Sequence, residues 1–374
     1  MRRIGIVLLG LLLLCPEGMA RASEAFPVAA KGAVLIEAGT GRVLYAQNAD
    51  APLPMASTTK LMTCLLALEN AELDEPVTAG ENAHGVPGTS IYLSVGETLT
   101  MEQLLYGLML RSGNDAAVAI AEHISGSAER FAARMNARAA ELDADAHYVN
   151  PHGLDAPGHE ASALALARIM RECLKHPAFR AITGTRRKLI PWVGNEYSRV
   201  LENKNRLLRT YEGATGGKTG YTSKAGRCLV FSARRDGMEL IGAVLNCPAW
   251  FDTAAALLDY GFETYSLTAP LKKGEAAARA AVAGGEAVSV RAVAAETLAA
   301  PVRAGERCDL RVELDDPLTA PITAGQRVGR AALTLDGETL CVCDLLAGDS
   351  VPRYSLKSAL MRALRHWALR FGAF

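Results

Sequence analysis

The chain has 374 residues, with 40 Lys and Arg against 40 Asp and Glu, and hydrophobic residues make up 50% of it. This composition excludes an intrinsically disordered chain, since such chains are poor in apolar residues and carry a large net charge. It also lacks the basic excess that binds a phosphate backbone, so we expect no nucleic-acid partner. At roughly 150 residues per domain, the length allows two to three domains.

Residues 1–22 have the pattern of a signal peptide. Two arginines precede an apolar run over residues 4–15, which is short for a membrane span. An A-x-A cleavage site ends at Ala22, so we expect cleavage there and export of the protein. The alternatives are an uncleaved anchor and a lipid-modified Cys15, which the bulky Leu14 disfavours.

Residues 23–265 are predicted to form an α+β domain, in which helices cover an antiparallel sheet. A strand pair is predicted within residues 28–46, and a second pair turns at Asp236-Gly237. The apolar spacing predicts helices over residues 57–69, 101–111, 114–125, 127–143, 160–175 and 251–265.

Short alternating segments separated by Gly, Asp and Pro predict a small all-β sandwich over residues 266–350. Residues 351–374 are predicted to form an amphipathic helix with a basic face. Its apolar stripe comprises Leu356, Leu360, Leu364, Trp367, Phe371 and Phe374. This tail contains no acid, so we expect it to bind an anionic membrane surface. The alternative is a helix docked on its own domain. Because leader and tail are both basic, the neutral total implies an acidic body.

Cysteine and histidine do not predict a metal site or a disulfide framework. Seven cysteines follow the leader, an odd and scattered set that indicates mostly buried free thiols. Cys341 and Cys343 are expected on one face of a strand, without further ligands nearby. His152 and His159 are expected in a loop, since Ala163 breaks any H-E-x-x-H zinc motif. We therefore expect no metal and no cofactor.

The segment Ser57-Thr58-Thr59-Lys60 is the first of three short motifs that can carry chemistry. Because positions i and i+3 share a face of a helix, the Lys60 amine can reach the Ser57 hydroxyl. A serine becomes a nucleophile when a base takes its proton, and a lysine is that base only if its pKa is lowered. In isolation the pattern is also typical of a surface Ser and Lys.

The second motif is Ser112-Gly113-Asn114, at a predicted helix start. Ser112 offers a hydroxyl for proton transfer and Asn114 an amide for a substrate peptide, although an ordinary helix N-cap explains the pattern equally well. The third is Lys218-Thr219-Gly220, which is predicted to open an edge strand. There the lysine and threonine can hold a substrate carboxylate, while the glycine lets a peptide approach.

Each motif occurs once, in the order S-x-x-K, S-x-N, K-T-G, a combination typical of penicillin-binding proteins and class A β-lactamases. With the segment Asn150-Pro151-His152-Gly153-Leu154-Asp155, the chain resembles the low-molecular-mass penicillin-binding proteins that are serine-type D-alanyl-D-alanine carboxypeptidases. The likeness covers about residues 28–265 and implies a penicillin-recognising domain of the transpeptidase and β-lactamase type. Many members carry Asp-Gly-x before K-T-G. This chain has Thr215-Gly216-Gly217, so its local loop contacts are expected to differ.

The resemblance implies a two-step acyl transfer on a peptidoglycan stem peptide. Ser57 would be the acylated nucleophile, Lys60 its base, and Ser112 a proton relay. The terminal D-alanine would leave, and water would hydrolyse the acyl-enzyme. A β-lactam antibiotic would acylate Ser57 and stay.

The resemblance also implies how the substrate is held. Asn114 would position it, and Lys218 with Thr219 would bind its terminal carboxylate next to Gly220. The backbone N–H groups of Ser57 and Tyr221 would form the oxyanion hole. The protein is then expected at the outer face of the cytoplasmic membrane, as a peripheral protein.

Three alternatives stay open on the sequence. A class A β-lactamase would carry an E-x-x-L-N string between the second and third motifs, and residues 115–217 contain none. A D,D-endopeptidase that cuts cross-links would share the same site. A slow-turnover β-lactam sensor or wall-binding protein would also keep the motifs.

Overall fold

The computed structural model describes residues 27–315, 317–357, 360, 361 and 364, so the predicted signal peptide lies outside the described residues. The strands of the first domain are β1 (Gly32–Glu37), β2 (Val43–Gln47), β3 (Pro76–Thr78), β4 (Thr98–Thr100), β5 (Ala146–His147), β6 (Glu160–Ala161), β7 (Arg187–Ile190), β8 (Arg199–Glu202), β9 (Ala214–Thr222), β10 (Gly226–Arg235) and β11 (Met238–Leu245). Its helices are α1 (Lys60–Asn70), α2 (Met101–Tyr106), α3 (Asn114–Ser125), α4 (Ala128–Glu141), α5 (Ala163–Cys173), α6 (Pro177–Gly184), α7 (Leu207–Thr210) and α8 (Trp250–Thr264).

An antiparallel five-stranded sheet in the order β2-β1-β11-β10-β9 forms the centre of this domain. Its two faces pack into separate apolar cores, one against α1, α3 and α5 and the other against α8. The hairpin between β10 and β11 turns at Asp236 and Gly237, both with positive φ, as the sequence predicts. The predicted α+β architecture is confirmed.

The Lys-Thr-Gly motif lies on the predicted edge strand, but the prediction that it opens this strand is wrong. Strand β9 begins at Ala214, so Lys218 lies in its middle. The preceding glycines are strand residues because α6, a helix that the sequence analysis missed, packs against them. A Cβ atom on Gly216 would lie 2.3 Å from the Thr183 side chain.

The strands of the second domain are β12 (Tyr265–Leu271), β13 (Ala276–Ala283), β14 (Ser289–Ala294), β15 (Leu298–Arg303), β16 (Asp309–Leu314), β17 (Leu318–Thr319), β18 (Arg327–Leu335) and β19 (Glu338–Ala347). Strands β12 and β15 form one sheet, and the other six form the second. Side chains of both sheets share one core, including Leu298 and Leu345, so the predicted sandwich is confirmed. Arg42 of the first domain reaches across to Glu306, at 2.7 Å.

The seven described cysteines are free, and five of them are buried, as the sequence predicts. In the tail, Leu356, Leu360 and Leu364 have helical backbone and exposed side chains. Most of the predicted amphipathic helix lies outside the described residues. Within the described part of the chain, helices that combine the length and hydropathy of a membrane span are absent.

Candidate active site

Ser57 lies on a tight 3-10 turn, Ala56–Thr59, directly before α1. The predicted helix therefore starts three residues later than expected. Two hydroxyls close the turn, because Thr58 donates to the Met55 carbonyl at 2.6 Å and Thr59 donates to the Ala56 carbonyl at 2.8 Å. Ala56 has a φ of +49°, a left-handed conformation that is uncommon outside glycine.

The amine of Lys60, the first residue of α1, lies below this turn and is fully buried. Its Nζ atom is 3.0 Å from Ser57 Oγ, 2.7 Å from Asn114 Oδ1 and 2.5 Å from the carbonyl oxygen of His152. The last two atoms can only accept hydrogen bonds, so they take the two protons of a neutral amine. The lone pair of that amine is then left for the Ser57 hydroxyl proton.

The surroundings favour the neutral amine. Burial lowers the pKa of Lys60 well below its usual value, and the nearby Lys218 and Lys204 cations lower it further. None of the three hydrogen-bond partners of Lys60 carries a negative charge. A lysine in this setting can act as a general base near neutral pH.

The second motif follows a wide helical turn over Gly107–Arg111. Ser112 takes a left-handed φ of +64° at the end of this turn, and Asn114 begins α3. The Asn114 amide is engaged on both sides, since its Nδ2 donates to the Pro87 carbonyl at 2.6 Å while its Oδ1 accepts from Lys60. This side chain therefore orients the lysine as well as lining the site.

Asp115 fixes the wall of the site, a role that its sequence context did not indicate. Its buried carboxylate accepts hydrogen bonds from the Ser90 hydroxyl and from the backbone N–H groups of Ile91 and Leu93. These bonds hold the loop over residues 87–93 against the start of α3. Because the partners are more than twenty residues away in sequence, local spacing carries no signal for them.

The third motif completes the floor. Lys218 Nζ lies 3.0 Å from Ser112 Oγ and 2.8 Å from the carbonyl oxygen of Thr219. Burial and the neighbouring Lys204 cation lower the pKa of Lys218 to about 7. A Cβ atom on Gly220 would lie 3.0 Å from the backbone nitrogen of Ser57, so the glycine keeps the space at that nitrogen open.

A pocket of about 300 Å³ opens over these groups. It brings together most of the predicted site residues, while the amines of Lys60 and Lys218 lie buried below it. The lining residues are Ser57, Gly88, Thr89, Ser112, Asn114, Gly153, Leu154, Lys204, Thr219, Gly220, Tyr221, Thr222 and Trp250. The sequence analysis singled out neither Lys204 nor Trp250. Tyr221 exposes 64% of its surface at the rim.

Lys204 reaches the pocket because both of its neighbours in sequence face inward. Asn203 donates to the Thr183 carbonyl, and Asn205 donates to the Gly216 carbonyl. In an extended segment, alternate side chains point to opposite sides, so the residue between two buried asparagines faces the other way. The N-K-N spacing was therefore a usable signal. Burial and the nearby Arg111 cation lower the pKa of Lys204.

The Thr-Gly-Gly sequence before the third motif changes the local contacts, as expected. Thr215 bonds the Ser232 hydroxyl at 2.7 Å and lies 3.4 Å from Glu239. Glu239 is buried on β11 and pairs with Arg180 and Arg234. The carboxylate at this place in the sheet therefore comes from the neighbouring part of the fold.

The two histidines of the loop before α5 touch the site from below. The His152 carbonyl accepts from Lys60, and burial lowers the pKa of the His152 ring to about 3. The His159 ring lies between Thr59 Oγ1, at 2.8 Å, and the backbone nitrogen of Val149, at 3.0 Å. Both rings thus hydrogen-bond within the protein or lie beside it.

Known proteins match this chain over almost its whole length. Residues 19–249 match a family model described as D-alanyl-D-alanine carboxypeptidase, and residues 265–353 match the C-terminal domain of penicillin-binding protein 5. D-alanyl-D-alanine carboxypeptidase DacF of Bacillus subtilis is 33% identical over 385 residues, covering 98% of each chain.

Two solved structures share the fold across both domains. Penicillin-binding protein 5 of Haemophilus influenzae has a TM-score of 0.73 at 29% identity, covering 88% of this chain and 99% of that one. A peptidoglycan synthesis regulatory factor, PBP3 of Streptococcus pneumoniae, has a TM-score of 0.78 at 27% identity, covering 87% and 100%.

Proposed function

Because this chain belongs to the D-alanyl-D-alanine carboxypeptidase family, we propose that it removes the terminal D-alanine from peptidoglycan stem pentapeptides through an acyl-enzyme on Ser57. The observation that carries the proposal is the 3.0 Å approach of the buried Lys60 amine to Ser57 Oγ. The other two partners of that amine are acceptors, so its lone pair faces the hydroxyl.

Acylation begins when Lys60 takes the Ser57 proton and Oγ attacks the carbonyl of the penultimate D-alanine. The oxyanion that forms is stabilised by the backbone N–H groups of Ser57 and Tyr221. The proton then passes to the leaving amine of the terminal D-alanine, with Ser112 as the relay between the two lysines. Its hydroxyl lies 3.0 Å from Lys218 Nζ. Water, activated by the same base, hydrolyses the ester and restores Ser57.

The terminal carboxylate of the substrate is bound at the third motif. Thr219 lines the pocket and Lys218 lies directly below it. With a pKa of about 7, Lys218 is only partly charged at neutral pH, so the bound carboxylate draws a proton onto it. Lys204 supplies a second positive charge at the pocket wall. Asn114 positions both Lys60 and the substrate.

The decisive experiment incubates the purified protein with a stem pentapeptide and with cross-linked peptidoglycan fragments, and identifies the products by mass spectrometry. We expect loss of one D-alanine from the pentapeptide and loss of that release in Ser57→Ala. Cleavage of cross-links without D-alanine release would identify an endopeptidase. Stable acylation by a β-lactam without turnover of either substrate would identify a sensor.

We also propose that the protein is exported by its leader, residues 1–22, and divides into a peptidase domain over 23–265, a β-sandwich over 266–350 and an anchoring tail over 351–374. The exposed apolar side chains of Leu356 and Leu360, with the absence of acids from the tail sequence, support binding to an anionic membrane surface. Removing residues 354–374 should abolish flotation with anionic vesicles. N-terminal sequencing of the mature protein tests cleavage after Ala22.

A further inference from the structure

His159 takes part in a directed chain of hydrogen bonds that ends at the nucleophile's own peptide group. The backbone N–H of Val149 donates to His159 Nδ1 at 3.0 Å, so Nδ1 is the acceptor of the ring. The proton of the neutral ring is therefore on Nε2, which donates to Thr59 Oγ1 at 2.8 Å. Thr59 in turn donates to the Ala56 carbonyl oxygen at 2.8 Å.

The last acceptor of this chain shares a peptide plane with Ser57. The Ala56 carbonyl and the Ser57 N–H belong to one rigid trans amide, so they point in opposite directions. Fixing the carbonyl oxygen therefore fixes the direction of the Ser57 N–H. On its other side, that nitrogen faces Gly220, whose missing side chain leaves the space open.

This peptide group needs restraint because Ala56 has a φ of +49°. A non-glycine residue keeps this conformation only where its surroundings hold it. The same carbonyl oxygen is packed from a second direction, since a Cβ atom on Gly153 would lie 2.0 Å from it. The nucleophile's turn is thus held by one hydrogen-bond chain and one tight backbone contact.

The surroundings keep the ring in the required form. His159 is 5% exposed, and its ring meets the Tyr148 ring edge-on at 6.0 Å. Burial, with the nearby His147 and Lys60 charges, lowers the pKa of His159 to about 4, against the opposing effect of Asp155. At neutral pH the ring therefore stays uncharged and keeps one donor and one acceptor.

We propose that His159 is a positioning residue, which aims the Ser57 N–H at the oxyanion through Thr59 and the Ala56 carbonyl. The inference rests on the proposed function, in which Ser57 is acylated and its N–H stabilises the developing charge. His159 itself touches neither the substrate nor the reacting atoms. A glutamine can replace it, since its side-chain oxygen accepts from Val149 and its nitrogen donates to Thr59.

The test compares His159→Leu, which removes both bonds, with His159→Gln, which keeps them. His123→Gln, at a surface histidine paired with Glu75, is the matched control. Two quantities are measured on the full chain, the rate constant of acylation by a fluorescent β-lactam and the infrared carbonyl band of the acyl-enzyme. The band reports hydrogen bonding to the oxyanion donors directly, which a loss of stability alone would not alter. Melting temperatures are recorded for every variant.

We expect His159→Leu to acylate about tenfold more slowly or worse, with its carbonyl band shifted to higher frequency. His159→Gln and His123→Gln should keep the native band and a rate within about threefold of the wild type. A native rate and band in His159→Leu would overturn the inference, as would a loss in a well-folded His159→Gln equal to that in His159→Leu.

Should His159→Leu fail to fold, Thr59→Val and Thr59→Ser decide the question in the same assays. The valine removes the hydroxyl at nearly constant shape, and the serine keeps it. We expect the valine variant alone to lose the native band, and equal behaviour of the two would contradict the proposal. A wild-type protein that no β-lactam labels would instead refute the acylation of Ser57, which separates failure of the proposed function from failure of this inference.

Discussion

Lys60 Nζ lies 3.0 Å from Ser57 Oγ, and its other two hydrogen bonds go to uncharged oxygens of Asn114 and His152. A charged ammonium here would be buried without a counter-ion in contact, which is costly. The geometry therefore selects the neutral amine, and the reactivity of the serine depends on that selection.

Lys60→Arg should remove acylation while keeping the positive side chain. A guanidinium stays protonated in proteins and has no lone pair to accept the Ser57 proton. Loss of a general base costs typically about 10² to 10⁴ in rate. We expect a fall of this size in labelling by a fluorescent β-lactam. Lys224→Arg, at an exposed lysine just beyond β9, is the control and should label normally.

Lys204→Ala should weaken substrate binding more than it slows the chemical step. The variant loses a charge that faces the pocket, whereas Lys60 and Lys218 keep their own hydrogen bonds. A charged hydrogen bond contributes about 1.5–3 kcal/mol, so KM should rise by roughly tenfold or more. Release of D-alanine from a pentapeptide measures KM and kcat separately. An equal effect of Lys224→Ala would show that only the overall charge matters.

The low pKa of Lys218 makes stability depend on pH. The folded protein gives up this proton at about pH 7, while an unfolded lysine holds it to about pH 10.5. Between these values the unfolded chain binds more protons, so the free energy of unfolding rises with pH. Lys218→Met should reduce that slope by about 1.4 kcal/mol per pH unit. Urea denaturation at several pH values between 7.5 and 9.5 measures it, and parallel profiles for the two proteins would contradict the assignment.

Arg199→Met should destabilise the peptidase domain by about 3–5 kcal/mol, because it leaves the Glu97 carboxylate buried without its partner. The two side chains are 4% and 2% exposed and lie 2.6 Å apart. Arg206→Met is the control, since Arg206 and Asp252 are 53% and 80% exposed. An exposed pair contributes at most about 1 kcal/mol. Equilibrium unfolding in urea compares the two variants, which should differ clearly.

Local patterns were sufficient to predict the sheet, most helices and the sandwich. The positions of Ser57, Lys60 and Lys218 also followed from the sequence, because the spacing within each motif sets which side chains share a face. Even there the detail differed, since a 3-10 turn precedes α1 and Lys218 lies inside its strand.

The remaining features depend on contacts between distant segments. Helix α6 packs on the glycines of β9, and without that contact Gly216 and Gly217 have the composition of a loop. Asp115 holds a loop whose sequence gives no sign of its partner. Lys204 enters the pocket only because the asparagines beside it are anchored to other parts of the chain.

The burial of Lys60 has a consequence for the chain before it folds. Its two uncharged partners lie 54 and 92 residues away in sequence, so they surround the amine only in the finished domain. In an extended chain the lysine holds its proton, and the serine beside it is an ordinary alcohol. The nucleophile is thus silent during synthesis and transport, and labelling by a β-lactam counts native molecules alone.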